Sequence, residues 1–253
     1  MQIYATSAHR ERAPILIALF LVAAALWLTI ITWARDMESM PGTMGLGLAA
    51  FVVVWAFMMA AMMLPSSITM VSLYTGTLQT RRYRRLVAFL AGYVLAWSLT
   101  GIPAFALAWA AGRIAVDYPG WATGAAALIF ATTGVYQLTS LKDRCLRHCR
   151  SPLSHLLHYS SYRGKLRDVR AGLHHGLFCL GCCWGLMVLM VAFGVMNLGV
   201  MIVLAGVVAL EKQWSHGEKV ARVVGVVSLI LAIGVIFIPD LAPGLQGAVM
   251  DSM

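Results

Sequence analysis

Long uncharged stretches alternate with short basic ones along the whole chain. The uncharged runs cover Ala13 to Ala34, Ser39 to Thr80, Leu86 to Gly112, Tyr118 to Leu141, Ala171 to Leu210 and Val223 to Pro239. A helix that crosses a bilayer needs about 20 mostly apolar residues. The fifth run is two spans long and breaks near Gly194 to Gly199. The second is interrupted by Pro65-Ser66-Ser67, and Thr69 to Thr80 is polar-rich, so it reads as one span with a cytosolic helical extension. The pattern predicts an all-α, polytopic transmembrane helical bundle. About seven spans are expected, near 14–34, 46–65, 86–111, 121–141, 172–193, 197–213 and 222–239, forming a single membrane domain over 1–253. The one extended connection, a cytosolic loop at 142–170, is predicted to hold a short amphipathic helix from Cys145 to Tyr159 and a turn at Ser160-Ser161 and Arg163-Gly164-Lys165.

Composition agrees: 60% of the 253 residues are hydrophobic and only 11% charged, with mean hydropathy +0.81. An ordinary soluble domain is nearer a quarter charged. Lys and Arg number two, one, four, one, eight, zero, three and zero in successive loops. By the positive-inside rule this alternation puts the N-terminus in the cytoplasm and the C-terminus outside. The expected location is a bacterial inner (cytoplasmic) membrane, with the chain crossing it several times. The net charge of +9 then anchors the loops against anionic lipid, and nucleic acid is not an expected partner. The first run follows Arg10 and Arg12 as a signal peptide would. It is too long, lacks a small-x-small exit before Arg35, and reads as a retained span.

The chemistry concentrates in His174-His175-Gly176-Leu177-Phe178-Cys179-Leu180-Gly181-Cys182-Cys183-Trp184-Gly185-Leu186-Met187. Polar and soft-ligand side chains are expensive in hydrocarbon, so such a cluster marks a functional site. At 3.6 residues per turn His175, Cys179, Cys182, Cys183 and Met190 share one helical face, with Met187 just outside it. Thiolate, imidazole and thioether together favour Cu(I), with zinc as second choice. The plainer alternative is that the cysteines pack as small hydrophobes. Vicinal Cys182 and Cys183 cannot easily chelate together from one regular helix, so one is expected as ligand and the other facing another helix.

Three further groups converge on the same end of the predicted bundle. Met58, Met59, Met62 and Met63 close the second span, either as core packing or as weak Cu(I) ligands. Cys145 and Cys149 have the i,i+4 spacing that lets two thiols bind one ion, with His148 beside them and His155 and His158 downstream; the alternative is a pair of surface thiols. Glu211 and Lys212 close the sixth span, where the acid could ligate, balance a cation or take a proton, or where the pair could simply snorkel. Gly181 and Gly185 form a small-xxx-small pair that allows close helix approach. The chain has no P-loop, no GxGxxG after a strand, no GxSxG and no HExxH. Nucleotide hydrolysis and Ser-His catalysis are not expected.

Met-Met-Leu-Pro-Ser (62–66), Cys-x-x-x-Cys-Arg (145–150), His-Gly-x-x-Cys-x-Gly-Cys-Cys-Trp-x-Leu-Met (175–187), Gly-Val-Met-Asn-Leu (194–198) and Glu-Lys (211–212) together resemble the DUF2182 family. That group of bacterial polytopic proteins is described as predicted metal-binding membrane proteins, sometimes as copper chaperones. The resemblance runs from about residue 45 to 240. The chain departs from the family at Trp214-Ser215-His216-Gly217, where a Pro-Trp-Gly-like exit is expected, and its first helix is less family-specific. The resemblance implies a non-enzymatic metal-handling protein. Its expected metal site draws on His174, His175, Cys179, Cys182, Cys183, Met187, Met62, Met63, Cys145, His148, Cys149 and Glu211. The cargo would be Cu(I), and the partners would be the lipid bilayer and a copper enzyme or soluble metal donor. Two other readings compete with it: a membrane thiol-disulfide relay, and a structural subunit of a membrane complex.

Overall fold

A computed structural model describes residues 2–37, 42–78, 80–151 and 153–246. Among them the chain is helical and forms no strand. The helices are α1 (Gln2–Met37), α2 (Leu48–Ser66), α3 (Ile68–Thr77), α4 (Arg82–Leu99), α5 (Gly101–Asp117), α6 (Pro119–Gln137), α7 (Ser140–Arg150), α8 (Leu153–Ser160), α9 (Arg167–Phe193), α10 (Leu198–Gln213) and α11 (Gly217–Phe237).

Among the described residues, five helical segments are long and apolar enough to cross a membrane: Ala13–Ala34, Leu48–Ser66, Arg82–Asp117, Arg167–Phe193 and Gly217–Phe237. Helices α6 and α7 pass the same test only together, bent by 63° at their junction. The expected span at 197–213 forms the 16-residue α10, short of the roughly 20 residues that a full crossing needs. The outside of the bundle exposes Leu21, Leu28, Trp121, Val203, Ile230 and Phe237. Such an exterior suits hydrocarbon better than water.

The breaks between helices follow from local chemistry. Pro65 has no N–H to donate and sits in the last turn of α2. Ser66 Oγ and Ser67 Oγ fold back onto the Met63 and Leu64 carbonyls at 2.9 and 2.8 Å, and the chain restarts as α3, the helical extension expected there. Thr139 caps α7 by accepting from the Lys142 N–H at 3.2 Å. That cap starts the helix at Ser140, five residues earlier than expected, and α7 ends at its C-cap Ser151, so the segment expected as one helix from Cys145 to Tyr159 is two. At the other end of α9, Gly194 takes φ +97°, a left-handed conformation that suits glycine. Asn197 Oδ1 then caps α10 by accepting from Val200 N–H at 3.0 Å.

Helix α9 packs against α4, α6, α7 and α10. Its approach to α4 is set by Gly92 and Gly172: a Cβ on Gly172 would lie 1.9 Å from the Phe89 carbonyl oxygen, and one on Gly92 would lie 2.1 Å from that of Val169. Only the absence of side chains at both positions lets the backbones come so near. Asp168, in the first turn of α9, accepts from Tyr74 Oη at 2.5 Å and is paired with Arg85 at 3.0 Å. Burial, reinforced by the neighbouring carboxylate, pushes the Tyr74 phenol well above its ordinary range, so it stays protonated and donates. These contacts tie α3, α4 and the first turn of α9 together at one end of the bundle.

Candidate metal centre

Four thiols and a thioether meet where α2, α7 and α9 cross. Cys149 Sγ on α7 lies 3.7 Å from Cys182 Sγ on α9. One residue on, Cys183 Sγ lies 3.9 Å from Met63 Sδ on α2. Both α9 thiols also donate back to the Cys179 carbonyl, at 3.1 and 2.9 Å. The vicinal pair is thereby split, with Cys182 turned to α7 and Cys183 to α2. All five cysteines are free thiols. At a metal–thiolate bond of about 2.3 Å, two sulfurs this far apart subtend roughly the tetrahedral angle at a shared ion.

Cys179 meets polar groups as well as the Cys149, Cys182 and Cys183 thiols. Lys212 Nζ donates to its Sγ at 2.9 Å and to Ser66 Oγ at 3.1 Å. Tyr93 Oη lies 3.0 Å from the same sulfur and donates to the Met63 carbonyl at 3.3 Å. A second buried ammonium stands nearby. Lys142 Nζ is paired with Glu211 Oε2 at 2.6 Å and reaches the Cys182 carbonyl, while Gln137 Nε2 donates to Glu211 Oε1 at 2.9 Å. The two side chains are 0% and 1% exposed. Glu211 is therefore committed to Lys142 and Gln137 as the structure stands, and it is far too buried to snorkel.

His175 stacks beside Phe89 and Tyr93, with ring centroids 6.0 and 5.6 Å apart. It lines a small void with Ser66, Ser67, Thr69, Met70, Cys149 and Lys212. The void measures about 10 Å³, room for about one water. His174 faces elsewhere. Its Nδ1 lies 3.2 Å from Tyr159 Oη, and its ring is 5.9 Å from that of His148 and 5.7 Å from that of His158. His148 lies flat on Phe178 with centroids 3.4 Å apart. Cys145 is half-buried, and its sulfur is so close to α9 that a Cβ on Gly181 would come within 2.9 Å of it. The Gly181 and Gly185 carbonyls accept from Tyr136 and Thr133 of α6. Met62 is buried in the surrounding core. Met187 lines a separate apolar pocket of about 410 Å³ with Trp55, Trp97 and Trp184. The side chain of His155 lies outside the described residues.

The structure thus gathers Cys149, Cys179, Cys182, Cys183, Met63 and His175. It places His148 and His174 in a neighbouring aromatic cluster, Cys145 against Gly181, and Met62 and Met187 in apolar surroundings. Among the described residues, no three His, Cys, Asp or Glu side chains converge closely enough to hold one ion. What the centre offers is a pair of sulfurs rather than a closed tetrahedral cage.

Sequence reasoning missed Tyr93, Gln137, Lys142 and Met70. A signal for Lys142 was present: once Thr139 is read as a helix cap, Lys142, Leu146 and Cys149 fall at i, i+4 and i+7 on one face, and all three are buried.

No curated protein and no solved structure matches this chain. The model of a copper chaperone family, PpoB2, matches residues 52–235 and so covers every helix that contributes to the centre. The chain belongs to that copper chaperone family.

Proposed function

We propose that this protein is a membrane-embedded, non-enzymatic copper carrier that binds Cu(I) through sulfur and passes it to or through the bilayer, or to a copper enzyme under assembly. The observation that carries this reading is the 3.7 Å approach of Cys149 to Cys182, with Cys183 and Met63 at 3.9 Å beside it. Thiolate and thioether are the soft donors that select Cu(I) over harder ions. Zinc is the second candidate, but it favours four ligands in tetrahedral array.

The chain would cross a bacterial inner membrane several times, N-terminus in the cytoplasm, and the loop charges would place the thiol end on the cytoplasmic side. The small void lined by Ser66, Ser67, Thr69, Met70, Cys149, His175 and Lys212 would mark the point where an ion enters from that side. His148 and His174, with Cys145, would serve as outer contacts on the approach. Metal analysis of protein purified in reducing buffer tests the proposal. Wild type should retain copper, and a Cys179, Cys182 and Cys183 triple serine variant should not. Equal, near-zero copper and zinc in both would refute it.

The Cys149–Cys182 contact also favours a second reading, a thiol-disulfide relay, because it brings thiols from two helices together. Such a relay needs an acceptor beyond the first dithiol, and the predicted outer loops contain no cysteine. A reversible Cys149–Cys182 disulfide trapped in growing cells, in protein that carries no copper, would favour the relay.

A further inference from the structure

We propose that the apolar pocket beside α9 binds a prenylated quinone of the bilayer. The inference goes beyond the copper-binding reading and does not depend on it, because the pocket lies on another face of α9 from the thiols. Leu177, Leu180, Gly181, Trp184 and Val188 line it, and their spacing of three and four puts them on one stripe of the helix. Cys179, Cys182 and Cys183 fall outside that stripe.

The pocket forms at a break in the chain. Helix α4 ends at Leu99 and α5 begins at Gly101, and Pro103 has no N–H to carry the helical ladder across. A Cβ on Gly101 would lie 3.1 Å from Trp55 Cδ1, so the glycine lets that indole settle against the break. Trp55 Nε1 donates to Thr100 Oγ1 at 3.0 Å, and the hydroxyl donates in turn to the Trp97 carbonyl at 2.6 Å. The space measures about 410 Å³ and is walled by Trp55, Trp97 and Trp184; small-molecule sites span about 300–1,000 Å³. Pro103, Leu177 and Trp184 line it and are exposed, so it opens on the outside of the bundle.

Depth, an orphaned donor and shape choose the occupant. Trp97 and Thr100 straddle the midpoint of the uncharged run from Leu86 to Gly112, which puts the pocket near the centre of a hydrocarbon core about 30 Å thick. No charged residue lines it, and a ligand reaches it from the lipid. Trp97 Nε1 is buried and has no hydrogen-bond partner among the described residues. A buried N–H without an acceptor is costly, and hydrocarbon holds no water to serve it. An acyl chain would fill the space but bring no acceptor, and phospholipid ester carbonyls stay at the interface, about 15 Å away. A quinone headgroup meets each condition. Its planar ring packs on the indole faces, a carbonyl oxygen accepts from Trp97 Nε1, and the prenyl tail leaves between Pro103, Leu177 and Trp184 into the bilayer.

The test is a titration of protein in quinone-free phospholipid nanodiscs with tritiated decylubiquinone, using decylbenzene as a competitor with the same chain and no carbonyl. Wild type should bind the quinone saturably, and an excess of decylbenzene should not displace it. Trp97→Phe keeps a ring and removes the N–H, and it should weaken binding about tenfold, or 1.4 kcal/mol. Ala104→Trp fills the pocket and should abolish binding. The inference is overturned if wild type shows no saturable binding, if Trp97→Phe binds as tightly as wild type, or if Ala104→Trp still binds. Displacement by decylbenzene as readily as by unlabelled quinone would make the pocket an acyl-chain groove and also overturn it, so wild type alone decides the matter should the variants not fold.

Discussion

Cys149 of α7 and Cys182 of α9 hold their sulfurs 3.7 Å apart, although 32 residues separate them in the chain. Both are buried, and a short movement would bring them to bonding distance. Mild oxidation of the metal-free protein should therefore link this pair first. Peptide mass mapping should find the Cys149–Cys182 bond in wild type, no such bond in Cys149→Ser, and Cys145 still open to alkylation. Prior loading with Ag(I) should block the link. A dominant Cys145–Cys149 bond would show that α7 presents its other face to α9.

Lys142 and Glu211 form a fully buried ion pair, and breaking such a pair from one side leaves a charge with nowhere to go. Glu211→Gln should destabilise the fold by about 3–5 kcal/mol. The double change Lys142→Met with Glu211→Leu removes both charges, and it should recover most of that loss. Thermal unfolding of detergent-solubilised protein checks both. A Glu211→Gln variant as stable as wild type would mean that the pair does not form.

Much of this was legible in the sequence, for reasons that differ from element to element. Pro65-Ser66-Ser67 marked the end of α2 because a missing N–H and two back-bonding hydroxyls act locally. The placing of Met63 at the level of Cys179, both within reach of Tyr93 Oη, followed from opposite helix directions, which gave no sign that Cys183 is the thiol beside Met63. The role of α7 was hidden because its buried face is only three residues long, Lys142, Leu146 and Cys149. Lys142 looked like one more positive loop charge, and its partner Glu211 is 69 residues away. Glu211 and Lys212 continue the buried face of Met201, Leu204 and Val208 on α10, a register that reads as buried once the helix is drawn. Which thiol meets which is a long-range property, and no spacing within α9 alone encodes it.

Gly172 and Gly206 should respond oppositely to alanine. At Gly172 the new Cβ would meet the Phe89 carbonyl oxygen at 1.9 Å, forcing α4 and α9 apart at a cost of about 1–3 kcal/mol or more. At Gly206, inside α10, nothing lies within 4 Å, so alanine should stabilise by about 0.5–1 kcal/mol through helix propensity. Unfolding midpoints of the two variants should move in opposite directions. A neutral Gly172→Ala would contradict the close contact between α4 and α9.

The central claim is that copper is held here by sulfur. Copper-edge X-ray absorption on protein loaded with one equivalent of Cu(I) tests it most directly, using wild type and a Cys149→Ser, Cys182→Ser double variant. The account predicts a first shell of sulfur in the wild type, with bonds of about 2.3 Å as for thiolate ligands generally, and loss of that shell in the double variant. A first shell of nitrogen or oxygen in the wild type, or an unchanged sulfur shell in the double variant, would contradict it.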